Sequence, residues 1–149
     1  MNAIRLYKFS NYLFKKKLFK AALVIQSVNR ILNNSHIPYS VKIGENSKFA
    51  YGGIGVVIHS KAIIGNNCMI GQNTTIGGRT GHGVAPIIGD NVYIAAGSRV
   101  LGGINIGSNV VIGANAVVVK DVPSNSVVVG IPATIISRDV EKFKKAGII

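Results

Sequence analysis

Five side chains in this chain could take part in proton or acyl transfer: His36, His59, His82, Cys68 and Tyr51. A neutral imidazole near pH 7 can take the proton of an alcohol as the oxygen attacks a carbonyl, a contribution of about 100- to 10,000-fold in rate. A phenol ordinarily titrates near ~10 and is a poor base at neutral pH, which leaves Tyr51 to bind rather than to move protons. His82 stands in Thr80-Gly81-His82, His59 follows Val56-Val57-Ile58, and His36 precedes Pro38, where a structural role is expected. Cys68 is expected to be a small inert thiol, because no charged neighbour is at hand to activate it. No Cys, His or acidic cluster has metal-ligand spacing, so no catalytic metal is expected.

The elements that must position these groups follow from a period of six. Aliphatic residues recur at Ile58, Ile64, Ile70 and Ile76, and again at Ile88, Ile94, Val100, Ile106, Ile112 and Val118. Glycine follows most of them, at Gly65, Gly71, Gly77, Gly89, Gly107 and Gly113, with Ala95 in one place. Six is a multiple of the strand period of two and of no helical turn, and regular glycine disfavours helices. Each hexad therefore reads as a short strand and a bend. One apolar side chain per hexad makes a core only when hexads stack, so the fold class is mainly β, a parallel solenoid. Glycine at the bends is attributed to backbone geometry that other residues adopt at a cost.

The period is interrupted twice. Three extra residues lie within Tyr51-Gly52-Gly53-Ile54-Gly55, and residues 78–86 lack an inward aliphatic and read as a loop projecting from the coil. The segments are then a basic, apolar helical arm (1–36), the β-helix (37–137) and a helical tail (138–149) with Lys142, Lys144 and Lys145 in solvent.

Charge is uneven. The 17 Lys and Arg outweigh five acids, for a net charge of +12. Seven of those bases, Arg5, Lys8, Lys15, Lys16, Lys17, Lys20 and Arg30, precede Asn34 with no acid among them. The arm's longest clean apolar run, Ala21 to Ile25, is far too short to span a bilayer. Basic charge beside apolar residues, without a stacking platform, argues against a specific nucleic-acid partner. The single cysteine and the absence of a cleavable leader fit a reducing cytoplasm. The arm could rest on an anionic bilayer at the inner face of the membrane.

From Val41 to Ile136 the chain resembles the hexapeptide-repeat acyltransferases, the group that includes serine, galactoside and maltose acetyltransferases. The hexads carry the resemblance together with Ile112-Gly113-Ala114-Asn115-Ala116-Val117-Val118-Val119-Lys120-Asp121-Val122-Pro123 and Val129-Gly130-Ile131-Pro132-Ala133. It implies a left-handed parallel β-helix, a homotrimer, and acetyl-coenzyme A as cosubstrate in the groove between adjacent prisms. Thr80-Gly81-His82 is similar to the Thr-Gly-His of the sugar enzymes, which makes His82 the expected general base, on a loop shorter than theirs. His59, one residue past an inward aliphatic, should point into the groove as a substrate contact, with Tyr51 and Asn73 as further substrate-binding candidates. By the same resemblance Ala96, Ala114, Val119 and Lys120 match coenzyme contacts, with Lys120 near phosphate, and Arg138 takes the place of a basic residue that relatives carry after Pro-Ala.

The acceptor expected on this reading is a hydroxyl-bearing small molecule or glycan, foremost a sugar hydroxyl in surface polysaccharide synthesis. Serine is the alternative. The Asp-His-Ala-Thr-Gly of the serine enzymes falls against Tyr51-Gly52-Gly53-Ile54-Gly55, which has no histidine. A noncatalytic hexapeptide scaffold is a third reading, of a different class.

Overall fold

The computed structural model describes residues 2–145; residues 146–149 of the expected tail, and the side chains of Lys144 and Lys145, lie outside the described residues. The hexads form coils of three short strands. The first coil holds β1 (Lys42–Ile43), β2 (Lys48–Phe49) and β3 (Val57–Ile58), and the second β4 (Ile63–Ile64), β5 (Met69–Ile70) and β6 (Thr75–Gly77). The third holds β7 (Ile87–Ile88), β8 (Tyr93–Ile94) and β9 (Arg99–Leu101), and the fourth β10 (Asn105–Ile106), β11 (Val111–Ile112) and β12 (Val117–Val118). Strands of successive coils pair in parallel to give three faces: β1-β4-β7-β10, β2-β5-β8-β11 with later strands added, and β3-β6-β9-β12. We call these faces one, two and three.

The register is that of the period. Ile58, Ile76, Val100 and Val118 stack in line on face three, and Ile64, Ile88 and Ile106 on face one. All ten aliphatics of the two series are at most 2% exposed. At about 1.5–3 kcal/mol for each fully buried Val or Ile side chain, this column is the main stabilising term. A second inward position goes beyond the expected one per hexad. The residue two places before each aliphatic is also buried: Val56, Ala62, Cys68, Thr74, Val92, Ser98, Val110 and Ala116 among them. Its polar members bond to carbonyls, as when Ser98 Oγ donates to Ala95 O at 2.6 Å and Gly113 O at 3.0 Å.

The hexad glycines have a different cause from the expected one. Between faces one and two the left-handed backbone falls to Asn46, Asn67, Asn91, Asn109 and Asn125, with φ of 55–60°. Gly65 and Gly89 keep ordinary φ. A Cβ on Gly65 would lie 2.5 Å from Gly89 O, so the spacing between coils, not φ, excludes a side chain there.

Two helices close the first end, α1 (Ala3–Lys15) and α2 (Phe19–Asn33). Asn2 caps α1, its side chain accepting from Ile4 N at 3.1 Å. Ala3, Ile4 and Tyr7 join the same core as Ile37, Val41 and Phe49, and Tyr7 Oη donates to Val41 O at 2.8 Å. α2 lies on α1 and buries Ala22, Asn29 and Asn33.

At the other end β13 (Val127–Gly130) extends face two in parallel, as expected. Then the chain reverses at Gly130, φ 98°, and β14 (Ala133–Ser137) returns antiparallel. The expected coil through residue 137 therefore ends early, and β14 covers what would be an open sheet edge. α3 (Val140–Lys145) follows, with Val140 packed on Val111 and Val127.

Candidate active site

All of the expected site residues but Arg138 sort onto the edges of one face. Face three is bounded by two rows of corners. On the edge leading to face one lie residues 59–62, the loop 78–86, Gly102-Gly103, and Val119 and Lys120. On the edge leading from face two lie Tyr51, Asn73, Ala96 and Ala114. Thus His59, His82, Val119 and Lys120 share one edge, and Tyr51, Asn73, Ala96 and Ala114 share its opposite.

The loop is seated by glycines that sequence reasoning passed over. Gly83 and Gly103 approach so closely that a Cβ on either would lie 2.8 Å from the Cα of the other. Gly103 N donates to His82 O, and His82 N donates to Arg79 O at 3.0 Å. The backbone of His82 is thereby fixed, while its exposed imidazole makes no hydrogen bond among the described residues. The visible signal was the pair Gly102-Gly103, one coil beyond a loop rich in glycine.

His59 is half-buried, and a Cβ on Gly78 would lie 3.9 Å from its Cδ2, so its ring abuts the start of the loop. Its Nδ1 accepts from Lys61 N at 3.1 Å. In neutral imidazole one nitrogen accepts and the other donates. With Nδ1 accepting, Nε2 carries the proton, so neutral His59 presents a donor outward and no free lone pair. No hydrogen bond joins it to His82.

His36, expected to be structural, bridges in parallel to Val57 and lines with His59, Pro38, Ser60 and Gly77 a shallow depression of about 270 Å³ on face three. His36 is thus a sheet residue whose place adjoins the candidate edge. A roomier cleft of about 390 Å³ lies between α1 and the first coil, lined by Tyr7, Asn11 and Ile43, and it holds no histidine.

On the opposite edge, Tyr51 is 77% exposed in left-handed backbone, φ 48°, within the 3-10 turn Ala50–Gly53 that accommodates the extra residues. Asn73 is committed to the coil. Its side-chain oxygen lies beneath Gly55, where a Cβ would clash, and its carbonyl accepts from Arg99 Nη1, which also donates to Gly97 O at 2.7 Å. Ala96 is half-exposed and Ala114 exposed, small side chains that leave backbone accessible along the edge; Lys120 is exposed across the face. Ala96 and Ala114 thus line one edge of the face with small side chains, and Lys120 stands on the other. Arg138 is elsewhere. It lines a hollow with Asn109, Asn125 and Glu141 at the corner between faces one and two, on neither edge that holds the other candidates.

Cys68 is buried, its Sγ 3.2 Å from Gly89 O, and burial pushes its thiol above the ordinary value. It occupies an inward position in the core rather than the outward or corner slot its place in the hexad suggested. Among the described residues no three His, Cys, Asp or Glu side chains gather as a metal site, and no helix is long and apolar enough to cross a membrane.

The family model for bacterial transferase hexapeptide (six repeats) matches residues 85–120. The serine acetyltransferase of Staphylococcus aureus is 44% identical over 142 residues, 93% of this chain and 66% of that protein. That of Staphylococcus epidermidis is 41% identical over 148 residues, 97% of this chain and 68% of that protein. A serine acetyltransferase solved in complex with CoA superposes with a TM-score of 0.81 at 32% identity, over 90% of this chain and 55% of that one. Stacked hexads, corner pattern and these matches define the class: the chain belongs to the hexapeptide-repeat acyltransferases, and its coil is their left-handed parallel β-helix. Within that class, the relatives that match nearly all of the chain are serine acetyltransferases. The chain spans about two thirds of their length.

Proposed function

We propose that the protein is an acetyl-coenzyme A-dependent O-acetyltransferase of the cytoplasm whose acceptor is the hydroxyl of serine. The observation that carries this is identity of 41–44% to serine acetyltransferases along almost the whole chain, helical arm included. This puts the serine alternative ahead of the sugar hydroxyl favoured on sequence grounds. The sugar reading keeps one specific support, Thr80-Gly81-His82, and stays as the second arm of the test.

His82 acts as the base. Its imidazole accepts the acceptor's proton while the oxygen attacks the thioester carbon; one O–H and one C–S bond break, one ester C–O bond forms, and His82 returns the proton to the departing sulfur. His59, holding a proton on Nε2, donates to the acceptor or to the carbonyl oxygen, where a fixed donor is most useful. Tyr51 and Asn73 contact the acceptor. Ala96, Ala114 and Val119 offer backbone groups to the carrier arm and Lys120 a charge to its phosphate, with Arg138 a weaker candidate because of its separate corner.

A convex prism edge encloses nothing. Two rows of candidates on opposite edges of one flat face make a cleft only when a second copy brings its edge alongside, which supports a trimer with the reaction between subunits.

The test is thiol release from acetyl-coenzyme A on adding L-serine or members of a sugar panel. Turnover with serine and silence with sugars is expected; the reverse transfers the assignment to a sugar acceptor. His82→Ala should lower kcat by about 100- to 10,000-fold with coenzyme binding retained. Unchanged turnover removes His82 as base, and failure of the wild-type chain to bind coenzyme favours a scaffold.

A further inference from the structure

α2 buries two asparagines and leaves large aliphatics exposed, with Ile25 and Val28 half-buried between. The side it lays on α1 holds Ala22, Asn29 and Asn33, all buried, with Asn29 Nδ2 donating to Ala3 O at 3.0 Å and Asn33 Nδ2 to Asn29 Oδ1 at 2.9 Å. The side it turns outward holds Leu23, Val24 and Ile31, which are 53%, 60% and 81% exposed. Residues 20, 24, 27 and 31 repeat at helical spacing, so Lys20, Val24, Ser27 and Ile31 form one stripe, flanked by Leu23 and Arg30. A surface helix ordinarily buries its aliphatic stripe, and reversal of that order marks a face that some apolar medium covers.

The charge identifies the medium. Lys20 opens the stripe and Arg30 flanks it, Lys15, Lys16 and Lys17 lead into the helix, and no acid occurs before Glu45. Two copies of this face laid against each other would set these cations together, at a cost that a neutral seam would not carry. An anionic bilayer accepts both features at once: aliphatic side chains enter the boundary between headgroups and acyl chains, and the cations remain at headgroup level. Other contacts of the helix also suit this. It packs on α1, which plugs the first coil through Ala3, Ile4 and Tyr7, so occupancy of its outer face leaves the coil and the candidate site untouched.

We propose that the outward face of α2 is a docking surface for anionic phospholipid headgroups. The inference does not rest on the acceptor or on catalysis, and its test reads neither. Full-length protein is floated with phosphatidylglycerol–phosphatidylcholine vesicles and with phosphatidylcholine vesicles alone, at low and high salt. Flotation with the anionic vesicles at low salt is expected, weakened by salt and lost on the neutral ones. Val24→Ser with Ile31→Ser should weaken binding on the order of tenfold or more through lost apolar burial, and Lys20→Glu with Arg30→Glu should abolish it. Both pairs are exposed, so the thermal transition is expected to stay in place. Absence of flotation at low salt overturns the proposal. So does binding that the double variants retain while still folded, and so does concentration-dependent self-association, seen by sedimentation and removed by Val24→Ser with Ile31→Ser, in a protein that ignores vesicles.

Discussion

Along the coil, Ile58, Ile76, Val100 and Val118 point inward and the polar corners point out; along α2 the buried positions are Ala22, Asn29 and Asn33, while Leu23, Val24, Ile31 and Leu32 are exposed and Ile25 and Val28 are half-buried. The two regions adjoin, yet they hold themselves together differently. The coil is a stack of burial events repeated at one spacing. The helical pair is fastened by individual hydrogen bonds to Ala3, Val41 and Tyr39, with α1 serving as a plug for the coil's open end. A repeating element can afford to lose one polar contact, whereas a seam made of a few side-chain bonds depends on each.

Substitutions can break this comparison, and the largest effect belongs to the coil. Ile94→Ala, in the middle of a column and 0% exposed, should cost about 2–5 kcal/mol in chemical denaturation, since neighbouring coils cannot collapse onto the gap. A loss below about 1 kcal/mol would mean that the column is not the principal support.

The next effect is one of pH and belongs to the plug. Burial pushes the Tyr7 hydroxyl up to about 12, against an unfolded value of 10.0. The folded chain therefore favours the protonated phenol. Its contribution is complete below pH 10.0 and is lost as pH rises toward about 12. The loss is on the order of 2–3 kcal/mol. Tyr7→Phe should remove that slope, and denaturation midpoints at rising pH for both proteins check it.

Asn29→Ala comes third. It leaves Ala3 O and the Asn33 amide without their partner, for about 1–3 kcal/mol, although the substituted residue is the better helix former. If the variant gains stability, the polar seam is not what fastens α2. Smallest is Val24→Ser on the outward face, expected within about 0.5 kcal/mol of the parent in the absence of vesicles. A valine that is cheap to remove and an asparagine that is costly to remove would together invert the pattern measured at Ile94.

Much of this was legible beforehand, and the residues show why. The series from Ile58 to Val118 marks a stack because each member needs a like neighbour to be buried, so period and burial are one requirement. The loop at 78–86 was legible as a missing aliphatic. The reversal at Gly130 was not, because β13 and β14 both carry strand-forming residues and direction leaves no trace in composition. The cause of the hexad glycines was not legible for a similar reason: glycine and asparagine both adopt left-handed backbone, and only the distance between coils shows that the glycines supply space while the asparagines take the positive φ.

Sequence alone determined that aliphatics six apart would form a column, and with it the coil and the corners, because a short-range period constrains every repeat alike; the acyltransferase family came from the resemblance of its motifs. Tertiary structure decided which corners share an edge: it put His59, His82 and Lys120 in one row, moved Arg138 to another, and directed His59 Nδ1 to a backbone amide. Those outcomes depend on how many residues each coil inserts and on where the chain turns, quantities that accumulate over the whole fold and are carried by no single residue.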